Sequence, residues 1–503
     1  MELLSNLSLG FAASLTLTNV FYCFIGVLLG TLIGVLPGIG PLATIAMLLP
    51  ITYQFTDPTT ALIMLAGIYY GAQYGGSTTA ILVNLPGEVS SVVTVLDGYQ
   101  MARQGRAGPA LSIAAIGSFF AGTVATLLVA AFAPALAEVA FEFGPAEYFS
   151  LMVLGLIAAV VLAHGSVLKA LAMVVCGLLI GMVGTDVNSG VARFSFDIPE
   201  LTDGIELAAI AMGIFGFGEI IANLEQGESR EVFARKVGRL LPSGAELRAS
   251  VAPIVRGTAL GSFLGLLPGG GAVLSSFTSY ALEKKISRTP ERFGKGAIEG
   301  VAGPESANNA GAQTSFVPML TLGIPTTPTM ALMIAAMMIH NIQPGPQVMT
   351  SNPTLFWGLI TSMWVGNLML VILNLPLIGI WIRLLTVPYR LLYPAILLFC
   401  CIGAYSLNNN VFDVFVTLPF AVLGYVFRKF DCEPAPLLLG LVLGALMEEY
   451  LRRAMTISRG DWSVLVTRPL SATLLAIAVV LLVIVLLPAI ARMREEAFAE
   501  EET

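Results

Sequence analysis

Two stretches of this 503-residue chain set uncharged polar groups beside helix breakers. The first reads "GIYYGAQYGGSTTAILVNLPGE" (67–88) and the second "NNAGAQTSFVPMLTLGIPTTPT" (308–329). Upstream of each, a Pro-Gly cluster interrupts an oily run: "GTLIGVLPGIGPLATIAM" and "GSFLGLLPGGGAVLSSFT". The side chains near the breaks come from Ser77, Thr78, Asn84, Asn309, Gln313, Thr314, Thr326 and Thr327, with no Lys or Arg among them. Gly38, Gly40, Gly269, Gly270 and Gly271 let the backbone approach a ligand closely. A helix starting at such a break offers free N–H groups and the positive end of its dipole, which suits a carboxylate. Backbone carbonyls and amide oxygens at the other half-helix ends, around Pro37, Gly75, Asn84, Pro268, Asn308 and Gly323, suit a hard cation such as Na⁺. The chemistry this predicts is anion binding beside a cation, with no covalent step.

A single Leu-Pro-Gly cluster is equally well explained by close helix packing or a plain kink. Two copies, each with a downstream break, favour a binding site. Any one hydroxyl is as readily explained by back-bonding to a carbonyl. Glu305 could be an intramembrane ligand, but it reads slightly better as the N-terminal cap of a new helix. Glu88 and Asp97 read as interfacial. His164 and His340 stand alone and suggest no metal centre.

Composition decides what must hold these groups. Hydrophobic residues make up 56% of the chain and charged ones 11%, against about a quarter charged in soluble domains. Mean hydropathy is +0.85. Runs such as "LLAIAVVLLVIVLLPAIA" are long enough to span a bilayer and recur along the chain. The N-terminus lacks a basic region, so a cleaved signal peptide is not expected. The five cysteines form no C-x-x-C pair and read as packing residues. A net charge of −7 without a basic tract argues against nucleic acid. There is no P-loop, H-E-x-x-H or G-x-S-x-G stretch, and "GIFGFG" (213–218) lies in a membrane run, so no enzyme chemistry or resident cofactor is expected.

Basic residues fix the topology. None occurs before Arg103 and none between Lys295 and Arg383, while clusters fill 225–256 and 284–295. Both clusters belong in the cytoplasm, so the apolar stretch between them must enter and leave on one side, as a re-entrant hairpin with its tip at 268–271. The first copy, with its tip at 37–41 and no basic flank, enters from the other face. About four further apolar segments follow in each half. The expectation is an all-α polytopic membrane protein with an inverted-topology repeat, re-entrant hairpins, discontinuous helices and about 11–12 membrane segments. Its units are 1–224 (first repeat), 225–256 (cytoplasmic linker), 257–451 (second repeat) and 452–503 (C-terminal helix and acidic tail). Substrate and Na⁺ should meet between the two tips and the two breaks, with one repeat-built unit moving past a scaffold in an elevator-type cycle.

Long blocks carry a family resemblance, in order along nearly the whole chain: "GVLPGIGPLATIAMLLPIT" (34–52), "SSVVTVLDGYQMARQGRAGPAL", "GLLPGGG" (265–271), "FGKGAIEGVAGPESANNAGAQTSFVPMLTLGIP" (293–325), "NIQPGPQ" (341–347) and "RRAMTISRGDWSVLVTRPLSA" (452–472). They resemble the large membrane subunit of the bacterial tripartite tricarboxylate transporters. The resemblance implies cation-driven import of a di- or tricarboxylate such as citrate across the inner membrane. It also implies a periplasmic substrate-binding protein and a small four-helix membrane subunit as partners. Na⁺ is the expected coupling ion and H⁺ the weaker option. The rival readings are a passive anion channel and a membrane-embedded lipid-modifying enzyme.

Overall fold

Both Pro-Gly clusters reverse the chain. The computed structural model describes residues 2–36, 40–52, 54–163, 166–186, 189–226, 239–267, 269–385 and 389–487; Pro37, Gly38, His164, Pro268 and the acidic tail lie outside the described residues. The chain opens with α1 (Glu2–Ser14), α2 (Leu17–Val35), α3 (Gly40–Thr52) and α4 (Pro58–Val83). Thr16 caps α2 by accepting from the Asn19 N–H, and Asp57 caps α4 with Pro58 in its first turn. The glycines of α2 set the direction of the next two helices. A Cβ on Gly26, Gly30 or Gly34 would lie 2.2, 2.3 and 2.4 Å from the carbonyl oxygens of Met64, Ile68 and Ala72. Those partners ascend together, so α2 and α4 run parallel and α3 runs back between them.

The chain continues through α5 (Ala107–Phe141), α6 (Pro145–Leu162) and α7 (Val167–Gly181). Next is α8, built from Leu207–Ala211, a π-helical Met212–Phe217 and Gly218–Gln226. The second half holds α9 (Gly244–Leu264), α10 (Gly271–Ile286), α11 (Glu299–Thr314), α12 (Phe316–Leu322), α13 (Pro328–Ile339) and α14 (Pro353–Asn374). It ends with α15 (Ile378–Leu385), α16 (Tyr389–Asn408), α17 (Val411–Lys429), α18 (Ala435–Ile457) and α19 (Pro469–Leu486).

The second half repeats the packing of the first. A Cβ on Gly257, Gly261 or Gly265 of α9 would lie 2.2, 2.2 and 2.4 Å from the carbonyl oxygens of Gly303, Ala307 and Gly311 in α11. Here too the outer helices are parallel and the middle one, α10, returns. Arg256 donates twice to Glu283, at 2.8 and 2.6 Å, and closes the open end of the α9–α10 hairpin. From that pair to the turn the helices reach only ~18 Å, short of a hydrocarbon core of about 30 Å.

The equivalent helices α4 and α11 oppose each other. Ile81 and Val301 meet over Gly98, Ser77 donates to Glu305, and the rings of Tyr69 and Phe316 lie 6.2 Å apart. As one sequence number rises the other falls, so the crossing is antiparallel and the two triplets are inverted relative to each other. Both also stop in the same way. Asn84 ends α4 at φ 62°, ψ 26° and Gly323 ends α12 at φ 69°, ψ 24°. Leu85-Pro86 and Ile324-Pro325 then follow, and proline cannot continue a helix.

The architecture is that of an all-α polytopic membrane protein. Among the described residues six helices are long and apolar enough to cross a bilayer: α2, α5, α6, α14, α17 and α19. The regular sheet described is one short hairpin pairing 184–185 with 192–193. Element ends differ from the sequence expectation in two places. α9 starts at Gly244, inside the stretch read as linker, because Ser243 and Glu246 form a reciprocal cap. α18 runs on to Ile457, so Arg452 and Arg453 extend the last repeat helix rather than opening a C-terminal unit. α1 is an element the sequence reading did not place; it lies on α14, with Phe11 stacked on Trp364 at 5.8 Å.

The glycine seams predict a sharp substitution pattern. Gly261→Leu forces a side chain into the Ala307 carbonyl and should cost about 3 kcal/mol or more, whereas Gly244→Ala, with nothing within 4 Å, should change little. Thermal unfolding of the detergent-solubilised protein reads the contrast. Equal melting temperatures for the two variants would refute the seam.

Candidate functional site

The two helix breaks converge on one turn of α4. After Pro86 the chain folds back, so that Ser90 donates to Gln73 Oε1 at 2.7 Å and Glu88 packs beside Gln73 and Ser90. From the other half, Thr327 and Ser315 lie beside the Tyr69 hydroxyl. In each half the hairpin touches its own break. Gly269 N–H donates to the Thr326 carbonyl at 2.8 Å, and Gly87 abuts the Gly34 carbonyl so closely that a Cβ there would stand 1.9 Å away.

This convergence leaves polar atoms without partners. Among the described residues Gln73 Nε2, Glu88 Oε2, Gln313 Oε1, Thr326 Oγ1 and both amide atoms of Asn308 are buried and make no hydrogen bond. Native interiors leave few such atoms, and each costs about 1–3 kcal/mol. Those of Gln73, Glu88 and Thr326 lie at the two breaks themselves, the arrangement expected of a ligand site, where bound solute or ions complete the bonding. No Lys or Arg stands in these breaks.

One turn further along α4, Glu305 of α11 is fully buried and accepts from Ser77 and Thr94, with Asn308 beside it. This corrects the cap reading. Glu305 sits inside α11, whose first residue is Glu299, and Pro304 is accommodated within the helix rather than starting it. Asp97 is likewise buried within the protein. It accepts from the Gly296 and Ala297 N–H groups at 2.8 Å each and from the Tyr280 hydroxyl at 2.9 Å, pinning the loop after the first break to the second half. Glu88 also turns inward, since its Oε2 is buried. On the loop side, Arg106 donates to the Gly296 carbonyl and to Glu246. The Ser243 backbone N–H, helped by Arg106, holds the Glu246 carboxyl below the usual carboxylate range.

The remaining sequence candidates divide. Thr327 caps α13 by accepting from Met330 N–H at 3.3 Å, and Gly270 precedes α10 as its cap. Gly271, at φ 47°, faces Thr327, so both lie at the convergence, next to Thr326 in the second break, whereas Asn308 lies beside Glu305 and Gln313 is buried in α11. Gly40 opens α3 at φ 65°. Thr78 back-bonds to Tyr74 and lines a small pocket with Tyr74, Ser77, Ser118 and Asn374. Asn309 bonds to Ser118 and to the Glu305 carbonyl, and Thr314 to the Ala310 carbonyl, so both serve helix packing. Gly75, a candidate cation ligand, lies inside unbroken α4, where Thr79 donates to its carbonyl; the helix break itself falls at Asn84. The Asn84 side chain is exposed, and Gly323 packs on the Pro344 carbonyl, so each acts as a helix stop. Gln73, Glu88, Thr94 and Glu305 are the additions. Gln73 and Glu88 stand in the first of the two polar blocks, while Thr94 and Glu305 lie just outside them, so polarity close to a break was their signal.

Residues 20–439 match the family model described as the tripartite tricarboxylate transporter TctA family. The chain is 62% identical, over the full length of both sequences, to an uncharacterized 52.8 kDa protein of the TAR-I ttuC' 3' region of Agrobacterium vitis. It is 61% identical over 242 residues, 48% of this chain and all of the other, to an uncharacterized protein of the TAR-II ttuC' 3' region of the same organism. No solved structure matches.

The Asp97 pin generates a test. Asp97→Ala leaves two buried N–H groups and a tyrosine hydroxyl without their acceptor, which should cost about 3 kcal/mol or more. It should also speed tryptic cleavage after Arg103 and Arg106. Unchanged melting and cleavage would show that the pin contributes nothing to the fold.

Proposed function

Because the chain belongs to the tripartite tricarboxylate transporter TctA family, we propose that it imports a citrate-like di- or tricarboxylate across the bacterial inner membrane by secondary transport. Na⁺ is the coupling ion in this reading, with H⁺ as the second option. A periplasmic binding protein delivers the substrate, and a small four-helix subunit completes the complex. The observation that carries the reading is the convergence of two inverted helix breaks on a buried set of unpartnered amides and hydroxyls.

Electrostatics argue for the coupling. Taking a carboxylate out of water costs several kcal/mol per charge, and a helix terminus returns about 0.3–2 kcal/mol. With no Lys or Arg at the breaks to balance it, a polyvalent anion needs cations beside it. Inversion supplies the means of alternating access, since one triplet can open to each face as a repeat-built unit moves past its scaffold.

The direct test is carboxylate uptake into proteoliposomes holding the assembled complex. An inward Na⁺ gradient should drive accumulation, and collapsing it should stop accumulation. Uptake indifferent to every cation gradient would remove the coupling, and equilibration without accumulation would favour a channel. Thr326→Val offers a cleaner reading of the site. The hydroxyl it removes has no partner, so the melting temperature should hold while uptake falls about tenfold or more. Full uptake in this variant would place the substrate elsewhere.

A further inference from the structure

We infer that Glu305, Ser77, Thr94 and Asn308 form the binding site of the coupling Na⁺, placed on the seam between the two inverted halves. This rests on the transport reading above and deepens it by naming the ion's ligands.

The local geometry carries it. Glu305 is fully buried, and the described residues give its carboxylate no ion pair; the hydroxyls of Ser77 and Thr94 bond to its two oxygens. Asn308, one turn further along α11, is itself fully buried with its side chain beside the Glu305 carboxylate, and its amide oxygen accepts no hydrogen bond. A buried amide oxygen without a donor, next to a carboxylate without a cation, leaves room for a third party. Together the groups offer two carboxylate oxygens, two hydroxyl oxygens and one amide oxygen, an all-oxygen set that suits a hard monovalent cation. The hydroxyls can rotate their protons away and present lone pairs.

The placement matters as much as the chemistry. Ser77 belongs to α4 and Thr94 to the short helical stretch 89–103 after the first break, while Glu305 and Asn308 belong to α11. An ion held here is shared by both halves, so its binding energy depends on their relative position. It also neutralises a carboxylate one turn from the Tyr69–Gln73 convergence, which lowers the repulsion met by an incoming anion. Ion occupancy would thereby raise affinity for substrate, and by linkage the substrate would raise affinity for the ion.

The experiment measures ²²Na⁺ binding to the purified full chain, and the Na⁺ concentration giving half-maximal uptake in the assembled complex, for Glu305→Gln, Ser77→Ala and Asn308→Ala. Glu305→Gln should abolish saturable Na⁺ binding. Ser77→Ala and Asn308→Ala should raise the half-saturating Na⁺ concentration about tenfold or more. Should Glu305→Gln not fold, the two milder variants decide the matter, and unchanged Na⁺ dependence in both overturns the site. A wild-type chain that transports with no cation dependence defeats the coupling reading itself. A wild type that needs Na⁺, with all three variants keeping the same Na⁺ dependence, defeats this assignment alone. Uptake driven by a pH gradient, insensitive to Na⁺ and lost in Glu305→Gln, overturns Na⁺ as the occupant.

Discussion

Main-chain contact between parallel helices is what the rest of the molecule depends on. At membrane depth no water completes an exposed N–H or carbonyl, so irregular backbone survives only where protein seals it. The seals are the α2–α4 and α9–α11 seams, where carbonyl oxygens stand little more than 2 Å from where a glycine Cβ would be. Helices that close admit no side chain between them, and dispersion over such a contact replaces the hydrophobic drive that lipid does not provide. With the outer helices of each triplet locked, the middle helix and its Pro-Gly turn become the part that can differ from one face to the other.

The polar interior follows from that seal. Hydroxyls along the seams mostly bond back to carbonyls of their own helix, as Thr31 does to Val27 and Thr321 to Val317, and so cost the fold little. Some of the exceptions stand at the breaks. Thr326 forgoes such a bond there, and Gln73 and Glu88 each keep an unpartnered atom; the local instability this implies is tolerated because the surrounding helices are fixed. Unmet polarity of this kind, at the point where two helix breaks converge, is what a binding site looks like before its ligand is considered.

Much of this was legible because breakers act locally. Pro37 and Pro268, with their glycines, announce a reversal through missing donors and permitted dihedral angles; the chain on either side shows that reversal even though the two prolines themselves are not described. Asn84 and Gly323 were marked by the Leu-Pro and Ile-Pro that follow. The uneven Lys and Arg gave the opposed directions of the halves. Glu305 escaped because Pro304 looks like the first residue of a helix, whereas α11 starts earlier and absorbs the proline in its body. Asp97 and Glu88 escaped for a related reason: acidic residues near a loop read as solvated, and only the fold-back after Pro86 turns them inward. Gly75 was read as a candidate cation ligand, but a glycine pressed against the Thr31 carbonyl serves packing. Local sequence identifies where a chain can bend; tertiary contact decides where it does.

The two inverted triplets share backbone geometry but not side chains. At the structurally equivalent steps after each break the first half presents Glu88 and the second Thr327, and both reach the same turn of α4. The first half therefore contributes a carboxylate and the second a neutral hydroxyl capping α13, whose positive end faces the convergence. A symmetric scaffold thus holds an asymmetric field, acidic toward one break and electropositive toward the other. An anion and a cation entering together each find a preferred side, whereas either alone meets one favourable wall and one unfavourable wall. In the proposed import cycle, coupling between the two solutes then needs no long-range relay, because the ion site inferred at Glu305 lies one turn of α4 from the convergence and each is built from both halves.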